Sequence, residues 1–152
     1  MRVLHCPDPV ESVTSGPRLF LAGPSPRNST ASWRDEACAH LRKVQFAGVV
    51  LHPQSRPGEP AVPVEVQLRW DWQAGAHADA IVFWIPRVLP ELPGLTSNFE
   101  FGLWARSGKA VLGAPPEAAE MAYLRGTAEL FGVPQAETLP DALDQALLVL
   151  AA

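Results

Sequence analysis

The sequence predicts an α/β fold in which helices cover both faces of a parallel sheet. Short apolar runs without polar alternation recur along the chain, as is typical of strands buried on both faces. Segments with helical periodicity separate these runs, and the sixteen prolines fall between apolar runs. With 152 residues, of which 47% are hydrophobic, the chain has the size of one domain with a substantial core.

The first half of the chain predicts strand, helix, strand and helix in turn. Residues 19–23 form an apolar run that Gly23-Pro24 ends, and residues 48–51 form a second one before His52-Pro53. Between them a helix is expected over 33–46, because Ser32 and Asp35 have the spacing of a capping box. Residues 54–63 are rich in proline and glycine, which indicates a surface loop, and a helix is expected over 64–76.

The second half continues the same alternation. Residues 79–86 are the clearest strand and belong in the middle of the sheet, because they are apolar without alternation. A helix is expected over 98–106, a strand over 109–113 and a helix over 117–131. A short strand is expected over 133–137 and an amphipathic helix over 140–150.

Charge and composition exclude several classes of function. The formal charge is −4 and the basic residues are scattered, so we expect no polymeric nucleic acid as partner. No apolar run approaches a membrane span or a signal peptide, so a cytoplasmic protein without a membrane partner is expected. The two cysteines and four histidines lack metal-ligand spacing, and no dinucleotide or Walker motif occurs. We therefore expect neither a metal nor a cofactor.

Glu100 is the first candidate for chemistry. In open parallel sheets ligands bind beyond the carboxyl ends of the strands, and the loop after Ile85 leads to the helix that carries Glu100. Ser97 and Glu100 also match a Ser-x-x-Glu capping box, which by itself favours a helix cap. For a catalytic role, the helix N-terminus would favour the ionised form of Glu100, as a nucleophile requires.

Asp71 is the second acidic candidate. It lies between Trp70 and Trp72, and a carboxylate held against aromatic surface tends towards a raised pKa, which suits a proton donor. An exposed helix residue is an equally good interpretation. Asp79 begins a strand at the opposite end of the sheet, where a structural role is expected.

The loop after the first predicted strand is the candidate binding segment. Gly23 would allow a ligand to approach the backbone, and Ser25, Arg27 and neighbouring Ser29 are suited to hydroxyls or a phosphate. Trp33 and Arg34 are candidates for stacking on a base, although an aromatic residue in the first turn more often packs on the sheet.

Three pieces in this order resemble the nucleoside 2-deoxyribosyltransferase family. They are Leu19-Phe20-Leu21-Ala22-Gly23-Pro24, Asp71 eight residues before Asp79, and Asn98-Phe99-Glu100-Phe101-Gly102. Ser32-Trp33-Arg34, Phe83-Trp84-Ile85-Pro86-Arg87 and Pro93-Gly94-Leu95-Thr96 look closest to its deoxyribosyltransferase-like branch. The similarity spans about residues 19–124.

The resemblance implies a flavodoxin-like or Rossmann-like three-layer sandwich with a five-stranded parallel sheet, preceded by an N-terminal extension over 1–17. It also implies a small-molecule nucleoside or nucleotide substrate and a homodimer or higher homo-oligomer.

By the same resemblance, Glu100 would hold the sugar as a covalent glycosyl ester, and Asp71 would protonate the leaving base. An acidic residue that the family uses for the sugar is replaced here by Gly94, so Asn98 is a candidate substitute, and Arg27 suggests a 5′-phosphate.

Two functions remain open at this level. The first is cleavage or transfer at an N-glycosidic bond, as a transferase or a hydrolase. The second is a non-catalytic nucleotide-binding or sensing domain of the same fold, in which Glu100 is only a cap. A retaining mechanism requires two carboxyl groups about 5 Å apart. Glu100 and Asp71 are therefore expected to converge on one pocket.

Overall fold

The computed structural model describes residues 1–26 and 32–152. Their strands form one parallel sheet in the order β1-β3-β2-β4-β5-β6. The bounds are Arg2–His5 for β1, Arg18–Ala22 for β2, Val49–His52 for β3, Ala80–Trp84 for β4, Ala110–Gly113 for β5 and Gln135–Ala136 for β6.

Helices cover both faces of this sheet. They are α1 (Trp33–Lys43), α2 (Val64–His77), α3 (Leu95–Trp104), α4 (Ala122–Phe131) and α5 (Leu139–Ala151), and a 3₁₀ turn spans Val10–Ser12. One core cluster joins the sheet to α2, α3 and α4, and a second joins it to α1 and α5. The predicted three-layer α/β sandwich is confirmed.

The sheet has six strands, and the expected number of five is wrong. The additional strand is β1, in a segment that was expected to be an N-terminal extension. It pairs with β3 along its length, from Arg2 beside Val49 to His5 beside His52. Only two apolar residues, Val3 and Leu4, lie between polar ones here, so the sequence lacks the apolar run that marks the buried strands.

The middle of the sheet follows the prediction closely. All five residues of β4 are buried, and Ile81, Val82 and Phe83 are completely inaccessible to solvent. The chain leaves β2 towards β3 and leaves β4 towards β5, so the strand order reverses between β2 and β4. A crevice outside the carboxyl ends of these two strands is the expected ligand site of such a sheet.

Helix α3 begins three residues before the predicted position. Its N-cap is Gly94, which has a left-handed backbone with φ of 63°, and no side chain caps the helix. Ser97 is therefore the third residue of the helix and Glu100 the sixth, and the predicted Ser97-Glu100 capping box is wrong. Glycine reaches this conformation without steric cost, so it starts the helix where the sequence offers no side-chain cap. Ser32 does cap α1, accepting a hydrogen bond from the Arg34 backbone N–H at 3.3 Å.

Candidate active site

A cavity of about 720 Å³ lies at the carboxyl ends of the central strands. Its walls come from the segments that follow β2, β3 and β4, together with side chains of α1, α2 and α3. Asp71 and Glu100 both line it, so the two candidate carboxyl groups converge on one pocket. Among the described lining residues, Arg34 is the single cationic side chain.

Glu100 lies in the second turn of α3, and its carboxyl group faces an unfavourable environment for charge. Burial raises its pKa, the negative charge of Asp71 raises it further, and Arg34 opposes both, so that the pKa reaches about 7. Any stabilisation of the ionised form by the helix N-terminus does not outweigh burial and the charge of Asp71. Glu100 lies beyond the first turn, where the effect of the helix dipole has faded.

Asp71 has a raised pKa of about 6, and burial in the cavity wall is the main cause. Two influences oppose it: a hydrogen bond from Gln67 Nε2 to Asp71 Oδ1 at 2.8 Å, and the charge of Arg34. The flanking indoles behave differently from each other. Trp70 is buried with its N–H donated to the Asp8 carbonyl, whereas the Trp72 side chain is 54% exposed.

The two carboxyl groups titrate as a coupled pair. The negative charge of Asp71 raises the cost of ionising Glu100. With pKa values of about 6 and about 7, the pair as a whole retains about one proton between these pH values. Such a pair presents one carboxylate and one carboxylic acid to the same ligand. That combination suits a reaction that needs both a nucleophile and a proton donor.

The candidate binding loop contributes Gly23 and Ser25 to the cavity wall. Gly23 has φ of 134°, and a Cβ there would lie 2.1 Å from the carbonyl oxygen of Trp84. The absence of a side chain at Gly23 therefore lets its backbone lie close to the backbone of β4, whereas the sequence suggested that it lets a ligand approach. Ser25 accepts a hydrogen bond from Arg34 Nη1 at 3.0 Å. Arg27 and Ser29 lie outside the described residues.

Trp33 and Asn98 do not belong to the cavity wall. The Trp33 indole packs against the α1 side of the sheet and donates its N–H to the Pro24 carbonyl at 2.9 Å. Asn98 Oδ1 accepts a hydrogen bond from Arg87 Nη2, which ties α3 to the loop before it. Both contacts give these residues a role in shaping the loops around the cavity.

Arg34, Gln54 and Gln67 are cavity residues whose roles the sequence did not reveal. The Arg34 side chain was a candidate for stacking on a base, but only 1% of this residue is exposed and its guanidinium bonds to backbone and side-chain oxygens. Gln54 lies in the segment that was predicted to be a surface loop. Gln67 precedes Asp71 by one helical turn, and this i, i+4 spacing was a usable signal.

Asp79 lies at the other end of β4, away from the cavity. Burial alone would raise its pKa, but hydrogen bonds from the backbone and side chain of Arg18 outweigh that effect and lower it. This ion pair joins the start of β2 to the start of β4. The contact fits the structural role that the sequence indicated.

The described residues contain no group of three or more His, Cys, Asp or Glu side chains placed to hold a metal ion. Within the same part of the chain, every helix is too short or too polar to cross a membrane.

Comparison with known proteins places the chain in a family. A family model described as nucleoside 2-deoxyribosyltransferase like matches residues 16–118, which is more than half of the chain. A search of the curated proteins finds no match. The matched segment includes β2 to β5 and both carboxyl groups of the cavity. The chain therefore belongs to the nucleoside 2-deoxyribosyltransferase-like family.

Proposed function

We propose that this protein cleaves or transfers the N-glycosidic bond of a nucleoside or nucleotide through a covalent glycosyl intermediate on Glu100. The observation that carries the proposal is the coupled Asp71–Glu100 pair in one cavity. Family membership supports the substrate class, because the family is described as nucleoside 2-deoxyribosyltransferase like. The cavity volume of about 720 Å³ is also in the range of small-molecule sites.

In the first step a carboxylate oxygen of Glu100 attacks the anomeric carbon of the sugar. The C–N bond to the base breaks, its electron pair moves to the base nitrogen, and Asp71 supplies the proton that neutralises the departing base. In the second step water or another base attacks the same carbon, and Asp71 takes up its proton. Glu100 is then released as a carboxylate.

The acceptor of the second step decides between hydrolase and transferase. The proton of the pair must reside on Asp71 when Glu100 attacks. Because Asp71 and Glu100 are coupled, the singly protonated pair includes this arrangement, with Glu100 as carboxylate and Asp71 as acid.

A labelling experiment tests the proposal. The purified protein is incubated with each deoxynucleoside, ribonucleoside and 5′-monophosphate, with and without a second free base, and base release or exchange is followed by HPLC. Mass spectrometry of the intact protein detects a covalent sugar, and peptide mapping identifies the carboxylate that carries it. We expect an adduct on Glu100, because a retaining mechanism stores the sugar there.

Matched variants separate catalysis from binding. Glu100→Gln should lower base release by at least about a thousandfold without loss of fold, because the amide cannot form the ester. Glu129→Gln, an exposed carboxylate on α4, should keep full activity. Full activity in Glu100→Gln would refute the nucleophile. Thermal stabilisation by nucleotides without base release or adduct would instead identify a non-catalytic binding domain.

We also propose that the protein forms a homo-oligomer. Val64, Leu68 and Trp72 on α2 are exposed at intervals of four residues, and Leu95, Phe99 and Leu103 repeat the pattern on α3. This α2–α3 apolar face also carries exposed Glu65 and Arg69, one helical turn apart. If a two-fold axis places α2 antiparallel to α2 of a second copy, Glu65 of one copy lies beside Arg69 of the other. Because these charges are opposite, a second copy of the chain is the partner that fits this face.

A further inference from the structure

Arg34 is a fully buried cation at the cavity, and every hydrogen bond that it makes in the described residues goes to a neutral oxygen. Its Nε donates to the Leu21 carbonyl at 3.0 Å, and Nη2 donates to the Gly23 carbonyl at 2.6 Å. Nη1 donates to Ser25 Oγ at 3.0 Å and to Gln54 Oε1 at 3.3 Å. The side chain is thus held in place by β2, the loop after it and the loop after β3.

These four bonds leave the charge of the guanidinium without a carboxylate at hydrogen-bond distance in the described chain. A guanidinium has five N–H groups, so one N–H of Nη2 also remains without an acceptor there. A buried charge is costly unless an opposite charge compensates it. The compensation must therefore come through space from ionised groups that share the cavity.

Asp71 and Glu100 are the groups that supply it. Both face Arg34 across the cavity, from α2 and α3, and both interact electrostatically with it. Cys38 on the same helix as Arg34 stays a neutral thiol, because burial raises its pKa. His52 on β3 stays neutral as well, because burial and the charges of Arg34 and His5 lower its pKa to about 3. Glu59 and Glu91 line the outer part of the same cavity.

We infer that Arg34 is the fixed counter-charge of the Asp71–Glu100 pair, which keeps one of the two carboxyl groups ionised while the other holds a proton. The inference deepens the proposed function and rests on it for its catalytic meaning. Arg34 is a positioning residue in this scheme, because it acts through the pair. The guanidinium stays charged at neutral pH, since burial lowers its pKa only to about 10.

The geometry explains why an arginine is required. Its planar fork reaches four oxygens on three segments, so the charge stays fixed when a substrate enters and water leaves. A lysine ammonium would carry the charge but could not make the same set of bonds. We therefore expect Arg34→Lys to keep the titration of the pair near its native position while lowering kcat.

The test is an NMR titration that needs no turnover. In the wild-type protein the ¹⁵N shifts of the Arg34 guanidinium should follow the ionisation of the pair between about pH 5 and 8. That response should vanish in Asp71→Asn/Glu100→Gln. Arg87 is the internal control, because it is another buried arginine, is bonded to backbone carbonyls and to Asn98, and does not line the cavity.

A variant gives the converse measurement. In Arg34→Met the ¹³C carboxyl titrations of Asp71 and Glu100 should move to higher pH by about one unit, because an opposite charge nearby lowers such pKa values. Arg125→Met should leave them in place, because Arg125 lies on α4 and does not line the cavity. A silent Arg34 guanidinium, or an unshifted pair in folded Arg34→Met, would overturn the inference. Both NMR titrations can be measured even if the protein cleaves no nucleoside. Failure of this inference is therefore distinguishable from failure of the proposed function.

Discussion

Asp71 and Glu100 together set the pH dependence that we expect of activity. The singly protonated pair is the reactive form, and the two pKa values are about 6 and about 7. Below this window both groups are protonated and the nucleophile is lost; above it both are ionised and the acid is lost. A plot of kcat/KM against pH should therefore be bell-shaped, with its maximum between about 6 and 7. A rate that stays constant from pH 5 to 8 would contradict this assignment.

Glu100 should also make the fold less stable as the pH rises to neutral and above. Folding raises its pKa from 4.5 to about 7, so the stability of the protonated form is complete below pH 4.5 and is lost as the pH rises through about 7. Glu100→Gln removes the ionisation. Its free energy of unfolding should exceed that of the wild type by on the order of 1 to 2 kcal/mol at pH 8.

Urea denaturation at two pH values measures this effect. At pH 4 the wild-type carboxyl group is protonated, so Glu100→Gln and wild type should unfold at similar urea concentrations. Glu129→Gln should match the wild type at both pH values, because its carboxylate is exposed on α4. Equal stabilities of Glu100→Gln and wild type at pH 8 would mean that burial does not penalise the ionised form.

Single residues show which parts of the site a sequence can reveal. Glu100 was found because its helix follows the end of a buried strand, and Asp71 was found because it lies beside aromatic residues. Both are local features of the sequence. The roles of Arg34 and Gln54 were missed, because their bond connects segments twenty residues apart. The Gly23 contact with the Trp84 carbonyl depends on how β2 and β4 pair, which residue spacing does not encode.

At the level of elements, Lys109 holds the end of α2, the helix that carries Asp71. Its ammonium donates to the carbonyls of Gly75, Ala76 and Ala78 at 2.7, 3.2 and 3.0 Å. These carbonyls lie at the C-terminus of the helix, where a cation is favoured. Lys109→Met keeps the aliphatic stem and should cost about 2 kcal/mol of stability.

Chemical denaturation provides the measurement, with Lys43→Met as the matched control. Lys43 ends α1 but is exposed, so its replacement should change stability by less than about 0.5 kcal/mol. If both variants unfold at the same denaturant concentration, the three bonds of Lys109 contribute nothing beyond an ordinary surface lysine.

The elements also show where periodicity is informative and where it fails. β4 was predicted because five consecutive buried residues leave an unbroken apolar run. β1 was missed because an edge strand buries few side chains and leaves polar residues at its ends. The start of α3 was misplaced, because a left-handed glycine cap leaves no side-chain signature comparable to Ser32 before α1.

At the level of the whole molecule, the α2–α3 apolar face predicts self-association. Light scattering after size exclusion should give a dimer or a larger assembly for the wild type. Phe99→Glu should give a monomer, because a buried carboxylate without a partner opposes association. Leu148→Glu on α5 is a close control, since 65% of Leu148 and 64% of Phe99 are exposed, and it should leave the assembly unchanged. A monomeric wild type would refute the oligomer.

The position of β1 has a practical consequence for the choice of the residue range to express. The family match begins at residue 16, so a version trimmed to that boundary lacks β1 entirely. The edge of β3 would then expose backbone groups that pair with residues 2–5, which invites aggregation. The trimmed version would also lose the bond from His5 Nδ1 to the Gln54 carbonyl, and with it one support of the cavity wall. Boundaries taken from homology alone would therefore cut into the sheet.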